Sequence, residues 1–566
     1  MTTRFLVLAW RHGDVRDRAD AISASFTASG FVRLLERDGL IILAHPDLAY
    51  SREGDNGFVL GRRFVRSECD LGNDASGPAR AQALTSFGWG NYIAILDGRD
   101  GRFAMADPSG AGRGHMISDE RLTMVADFLT PTMIASAGYR STVDLRRLSA
   151  CLVDPASAPF APLLSGIRTL VPGRLVNLAP PHDATTIWSP AALVPNGDGD
   201  GRGLVSAVDE AVRAFAGRRT LIELSGGLDS SIVLGTMAEC ALDARAVAIV
   251  TSAGDVEEIE YAADAARLAN VPLHISRVTA FPEFRRILDA VPTVHPFMYG
   301  TDDVFAKAVA TARERSGSDV VLTGQGGDAV FFQPATFYTA IDRFRSLGLR
   351  SGIGPLLDDA RRARTSIWSH MIPALRDRFR PVGLPSDNLS SNLLTESALR
   401  SLERSVHPWV EDARSGPPGR LLQITMMANS QNSHSARPTD LGAPLLHPLL
   451  SQPVIEAALA LPSWVLASGS IDRGCARRVF ADRIPKSIAR RPSKGEAAAY
   501  YSRTTVANLP FLRSHLLDGA LASAGIIDVD AMNATLNEDH LFYSLDYRAL
   551  SMHAKCEAWL RSWQSA

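Results

Sequence analysis

Seven residues between an apolar run and a helical stretch carry the sharpest chemical signal in the chain: Ser225-Gly226-Gly227-Leu228-Asp229-Ser230-Ser231. Gly226 and Gly227 let the backbone turn tightly and approach a ligand with no Cβ in the way. The helix that follows offers free N–H groups and the positive end of its dipole, which favour an anion. Ser225, Ser230 and Ser231 add hydroxyl donors. Asp229 is out of place beside a phosphate unless a cation bridges the two, and Mg²⁺ takes one or two carboxylates together with phosphate oxygens. A Gly-Gly turn capped by Asp229 is the plainer alternative; the complete seven-residue pattern between strand and helix favours phosphate. No Gly-Lys-Ser/Thr follows, so simple γ-phosphate cleavage is disfavoured.

A second loop, Thr323-Gly324-Gln325-Gly326-Gly327-Asp328, also follows an apolar run, residues 319–322. Alone it reads as a turn. In an open parallel sheet, however, loops at the carboxyl ends of strands share one crevice. The two loops could then face each other across a nucleotide, with Asp229 and Asp328 holding one Mg²⁺.

The elements that must position these loops follow from the rhythm of the chain. Up to about residue 190, short apolar segments (5–10, 39–44, 57–60, 91–96) are split by Gly, Asp and Asn, which predicts antiparallel β-structure. A Pro/Gly/Asp-rich stretch, 179–203, reads as a linker. Strand, loop and long helix then alternate: strands at 220–224, 246–251, 272–275 and 319–322, and helices at 229–240, 257–269 and 303–315. This alternation predicts a parallel sheet covered by helices on both faces. Beyond residue 340 the pattern is mostly helical.

Bulk properties set the outer limits. At 566 residues the chain exceeds a single core. A formal net charge of −2 gives no basic surplus for nucleic acid or an anionic membrane. No apolar stretch approaches the roughly 20 residues that span a bilayer, and the amino terminus lacks a signal-peptide layout. Five scattered cysteines without a CxxC pair suit reduced thiols, and a cytoplasmic location is the expectation. The histidines form no HxH or HExxH pattern for zinc. Lysine is scarce: Lys307, Lys486, Lys494 and Lys555 only. A lysine inside a motif is therefore informative.

With both loops in view, the sequence resembles the asparagine synthetase family, whose synthetase domain carries SGGLDSS and, later, SGEGADE. TGQGGDAVF here keeps the Gly-x-Gly-x-Asp frame. The resemblance implies ATP and Mg²⁺ as cofactors, the first loop as the pyrophosphate cradle, and Asp229 and Asp328 as Mg²⁺ ligands. It places Leu224, Val250, Thr323 and Gly324 near the adenosine. His447-Pro-Leu-Leu450 through Leu461-Pro462 looks like the family's "PFLD" stretch, and Arg490-Arg-Pro-Ser-Lys494-Gly495 like its late catalytic lysine segment. Lys494 would stabilise charge built on phosphorus and then on the acyl carbon. Acidic residues Asp255, Glu257, Glu258 and Glu260 fall where the family has acidic residues near metal or adenosine, and where a solvated helix start would also place them.

The front half, 1–195, resembles a class II glutamine amidotransferase domain of the Ntn-like type. Gly90 to Asp97, Ala106-Asp107-Pro108-Ser-Gly110 and Gly166 to Gly173 carry that likeness. Such a domain begins Met-Cys; here Thr2 and Thr3 follow Met1 and the nearest cysteine is Cys69. The ammonia-producing site is expected to be degenerate, and the amine to come from the substrate. The 204–566 region would then be an ATP-pyrophosphatase domain working as a cyclase. The Gly-Gln-Gly-Gly-Asp form and the Arg-Pro-Ser-Lys-Gly segment look most like lasso-peptide cyclases, with β-lactam and other small-molecule amide synthetases next. The resemblance implies a precursor peptide as substrate, with a leader-binding protein and a leader peptidase as partners. A catalytically retired scaffold that binds a peptide or partner is the alternative from another class.

Overall fold

The computed structural model describes residues 4–11, 15–67, 74–155, 160, 163–195, 199–251, 256–296, 303–377, 389–434, 441–492 and 498–565. Among the described residues the front half contains twelve strands: β1 (Phe5–Trp10), β2 (Val32–Arg37), β3 (Leu40–Ala44), β4 (Tyr50–Arg52), β5 (Gly57–Val65), β6 (Gly88–Gly98), β7 (Gly101–Ala106), β8 (His115–Ser118), β9 (Leu122–Ala126), β10 (Ile167–Thr169), β11 (Arg174–Asn177) and β12 (Ala184–Thr186). They form two six-stranded sheets, in the orders β10-β8-β9-β1-β3-β2 and β12-β11-β7-β6-β5-β4. The pairings within them are antiparallel.

Alternation along the strands explains how the sheets stack. Val7 and Ile42 of one sheet share a core with Leu60, Ile93 and Ile95 of the other. Their neighbours in sequence, Leu6, Leu8 and Ile41, point the opposite way, against helix α1 (Arg16–Ala28). On the far side Val59, Tyr92 and Ala94 meet helix α2 (Gly77–Ser86). With both faces covered, β1 is buried along its whole length, so FLVLAW is a continuous apolar run. Helix α3 (Leu145–Val153) adds to the outer layer. That layer is shared with the end of the chain: Leu512, Leu516, Leu550 and Trp559 belong to the same core as Leu6 and Leu8. The front half therefore packs directly onto the last helices.

The stretch read as a linker is a clamped strap. The Trp188 indole N–H donates to Glu456 Oε1 at 2.9 Å, and the Ser189 hydroxyl to Asp412 Oδ2 at 3.0 Å. The Trp188 indole is half-buried, and this bond holds the strap to the back half.

The back half holds a five-stranded parallel sheet of β13 (Arg219–Glu223), β14 (Asp243–Val250), β15 (Leu273–Arg277), β16 (Val320–Leu322) and β17 (Leu445–Leu446), in the order β15-β14-β13-β16-β17. Helices α4 (Arg202–Arg213), α5 (Leu228–Glu239), α6 (Val256–Leu268) and α7 (Asp303–Ser316) accompany it. The apolar face of α4 (Leu204, Val208, Ala211, Val212) shares a core with Ile232 and Val233 of α5 and Ile222 of β13. The expected antiparallel front and parallel back are both present. The two-residue strand β17 was not read from the sequence, because a pair of residues shows no periodicity. No helix among the described residues is long and apolar enough to cross a membrane.

Candidate active site

The strand order places the two glycine-rich loops side by side. From β13 the chain runs outward through β14 and β15; β16 then returns to the other side of β13. The direction of winding therefore reverses between β13 and β16, and ligands of open α/β sheets bind outside the carboxyl ends of strands at such a switch point. Both loops leave from that point.

In the first loop Gly226 adopts φ +70°, and a Cβ there would come within 2.7 Å of the Glu258 carbonyl oxygen. Only glycine permits that turn against α6. The Ser225 N–H donates to Ser230 Oγ at 3.2 Å, and the Ser231 hydroxyl to the Gly227 carbonyl at 2.8 Å. Ser230 and Ser231 are buried, and these hydroxyls brace the loop itself. The second loop lies against the first: a Cβ on Gly324 would sit 2.4 Å from the Ser230 nitrogen. Thr323 is fixed from behind by His447. His447 Nε2 faces the Ser433 carbonyl at 2.9 Å and so carries the hydrogen. Its Nδ1 then accepts from the Thr323 hydroxyl at 2.7 Å, while the Gln325 N–H donates to Thr323 Oγ1 at 3.1 Å.

The two predicted metal ligands meet. Arg473 Nη1 lies 2.7 Å from Asp229 Oδ2 and 2.5 Å from Asp328 Oδ1. One nitrogen thus touches both carboxylates, which stand within reach of a single cationic group. Arg473 is buried, adopts φ +55°, and is held through Nη2 by Asp472 at 2.8 Å. Burial pushes the Asp229 carboxyl up to about 7, against the downward pull of Arg473, and the neighbouring Asp328 adds to the rise. The other oxygen of Asp229, Oδ1, is buried with no hydrogen-bond partner among the described residues. An orphaned carboxylate oxygen beside a second carboxylate fits a hard divalent cation. No group of three or more His, Cys, Asp or Glu side chains forms a metal cage among the described residues. Two carboxylates with substrate phosphates and water is the ligand set that suits Mg²⁺.

The remaining predicted residues divide. Leu224 and Val250 are 1% and 4% exposed, so neither side chain offers a nucleoside much surface. The Leu224 N–H donates to the Val247 carbonyl at 2.8 Å, and the Val250 carbonyl accepts from Val278 at 2.8 Å. Lys494 lies outside the described residues, as do Thr2, Thr3, Cys69 and Asp255. Arg491, which lies within the described residues, is held against α6. Arg491 forms a two-armed ion pair with Glu258, one arm 3.1 Å long, and stacks 4.0 Å from the Tyr261 ring centre. Glu258 is thus a brace between α6 and the Lys494 segment, and Arg491 is buried rather than solvated surface. The residue missed in the sequence is Arg473. In so arginine-rich a chain, nothing but the Asp472-Arg473-Gly474 turn marks it. The glycine is required there, since a Cβ on Gly474 would sit 1.6 Å from the Ser468 carbonyl oxygen.

Comparison with known proteins gives a family match over residues 203–561, to asparagine synthase. No curated protein matches. Two solved structures are similar in part: one described as the allosteric regulatory enzyme of purine biosynthesis, the other a glutamine phosphoribosylpyrophosphate amidotransferase from B. subtilis complexed with ADP and GMP. Each is 10% identical and aligns with 56% of this chain, covering 89% and 90% of the respective relative. At TM-scores of 0.22 and 0.20 they carry no weight for fold or function. The family match covers well over half of the chain and includes both loops, Arg473 and the Lys494 segment; the chain belongs to the asparagine synthase family of ATP-dependent amide-forming ligases.

Proposed function

We propose that this enzyme is an ATP- and Mg²⁺-dependent peptide macrolactam synthetase, a lasso-peptide cyclase. An Asp or Glu side-chain carboxylate of a precursor peptide attacks the α-phosphorus of ATP. The bond from that phosphorus to the bridging oxygen breaks, and pyrophosphate leaves. The peptide's own neutral N-terminal amine then attacks the acyl carbon of the AMP ester, expelling AMP, and the nitrogen gives up one proton as the ring closes.

The observation that carries the reading is the shared contact of Asp229 and Asp328 with one cationic nitrogen, at 2.7 and 2.5 Å. Mg²⁺ there would screen the β- and γ-phosphates and stabilise the departing pyrophosphate. The Gly226–Gly227 turn and the start of α5 offer backbone N–H groups to the same anion. Arg473 holds the two carboxylates together and can pass its charge to the phosphates. Lys494, by family resemblance, would face the developing charge on phosphorus and carbon. Gln325 stands where the wider family has a glutamate. The front half, as a degenerate amidotransferase domain, would then serve as structure or as a docking body for a leader-binding protein and a leader peptidase.

Incubation with Mg·ATP and an unmodified precursor peptide tests this. The expected product is one water lighter, with AMP and pyrophosphate released in equal amount. Turnover of ATP to AMP with small amino acids but no peptide would move the assignment to β-lactam or other small-molecule amide synthesis. No nucleotide turnover with any acid would leave only a binding scaffold.

A further inference from the structure

Arg62, Phe64 and Arg66 alternate along β5 and its continuation and share the face turned toward the back half. Two of the three find ordinary partners. Phe64 meets the Phe215 ring edge-on at 5.7 Å, and Arg66 pairs with Glu210 at 2.7 Å and Glu456 at 3.5 Å. Burial lowers the pKa of Arg62, and the like charges of Arg218 and Arg4 lower it further. Arg4 is engaged by Asp127 at 3.4 Å, and Glu53 by Arg63 at 3.0 Å. Among the described residues no carboxylate pairs with Arg62 or with Arg218.

Arg62 and Arg218 line one cleft of about 310 Å³, together with Tyr50, Ser51, Phe64 and Phe215, and Arg218 also borders a neighbouring cleft with Asp243 and Asp319. Like charges in a partly enclosed cleft raise the energy of the empty protein and focus a positive potential on whatever enters. The cleft adjoins Arg219, the first residue of β13, whereas the glycine-rich loops leave its other end. Five strand residues separate them, about 16 Å at the usual rise.

We propose that this cleft is a second anion site, taking the phosphate group of a small organic phosphate. A phosphate dianion neutralises both guanidinium groups, and each fork can hold two of its oxygens. A single carboxylate would leave one positive charge over. The volume suits a small molecule, and the Phe64, Phe215 and Tyr50 rings offer apolar walls to the rest of it.

Titration of the full-length protein with orthophosphate and with phenyl phosphate, in low-salt phosphate-free buffer, tests the assignment by calorimetry and thermal unfolding. Wild type should show saturable binding and a rising midpoint. Arg62→Gln/Arg218→Gln should bind at least about tenfold more weakly, melt above wild type without phosphate because the repulsion is gone, and keep its ATP–pyrophosphate exchange. Arg218→Gln alone, at an exposed position, keeps the test open if the double variant does not fold. The proposal is overturned if orthophosphate acts equally on wild type and variants, which would place its binding at the glycine-rich loops. It is equally overturned if wild type shows no saturable binding, or if malonate binds as tightly as orthophosphate.

Discussion

Replacing Arg473 by methionine removes a cation that touches both predicted metal ligands while keeping most of the side-chain volume. The Arg473 and Asp229 side chains are only 9% and 16% exposed, so the loss leaves a largely buried carboxylate without its partner. Breaking such a pair costs about 3 kcal/mol or somewhat more. The contact with Asp328, whose side chain is 56% exposed, adds under about 1 kcal/mol after screening by solvent. Thermal unfolding without nucleotide should therefore show Arg473→Met clearly below wild type. Mg²⁺ competes with the guanidinium for the same oxygens, so the variant should bind free Mg²⁺ more tightly than wild type. Its unfolding midpoint should also rise more with added Mg²⁺. Arg473→Met/Asp229→Asn should recover part of the lost stability, because the stranded charge is gone. Equal responses of wild type and Arg473→Met to Mg²⁺, or a double variant weaker than the sum of the singles, would refute this reasoning.

Three further outcomes are expected. Gly324→Ala drives a Cβ onto the Ser230 backbone nitrogen, 2.4 Å away, and should cut ATP–pyrophosphate exchange roughly 100-fold by shifting one loop against the other. Lys494→Ala should lower exchange by roughly 100-fold or more while leaving the unfolding midpoint near wild type. Asp342, which accepts from the Gly419 and Arg420 N–H groups at 2.9 and 3.0 Å, has its carboxyl pushed up to about 6 by burial. A raised folded-state pKa means the native protein holds this proton more tightly than the unfolded chain. The stability from this group is thus full below about pH 4 and lost as the pH rises through 6, about 3 kcal/mol in all. The difference in unfolding stability between wild type and Asp342→Asn should change with pH across that window and be flat above it.

Much of the site was legible because it is written in contiguous residues. Ser225 to Ser231 and Thr323 to Asp328 each combine a strand end, glycines and an acid within seven positions, and the parallel sheet then brings Asp229 and Asp328 together. What the sequence hid depends on contacts between distant segments. Arg473 reaches the site from 145 positions beyond Asp328 and is one arginine among many. Glu258 and Arg491 look like solvated helix-start and surface charges until their 233-residue separation closes into an ion pair. In the front half, the strands showed as apolar runs between turn residues, but helix α1 did not. Its sequence, RDRADAISASFTA, buries only Ala19, Ile22 and Ser23, too few apolar positions to mark a period. The strap at 184–192 reads as a linker because its composition is that of a loop. Trp188 and Ser189 clamp it only where Glu456 and Asp412 arrive from the back half.

The most direct test is a crystal of the enzyme with a non-hydrolysable ATP analogue and Mn²⁺ in place of Mg²⁺, read by anomalous scattering. We predict an ion peak within about 2.2 Å of an oxygen of Asp229 and of Asp328 alike, with Arg473 Nη1 moved away from its present bridging position toward the phosphates. An ion held by one aspartate alone, with Arg473 still spanning both, would contradict the account.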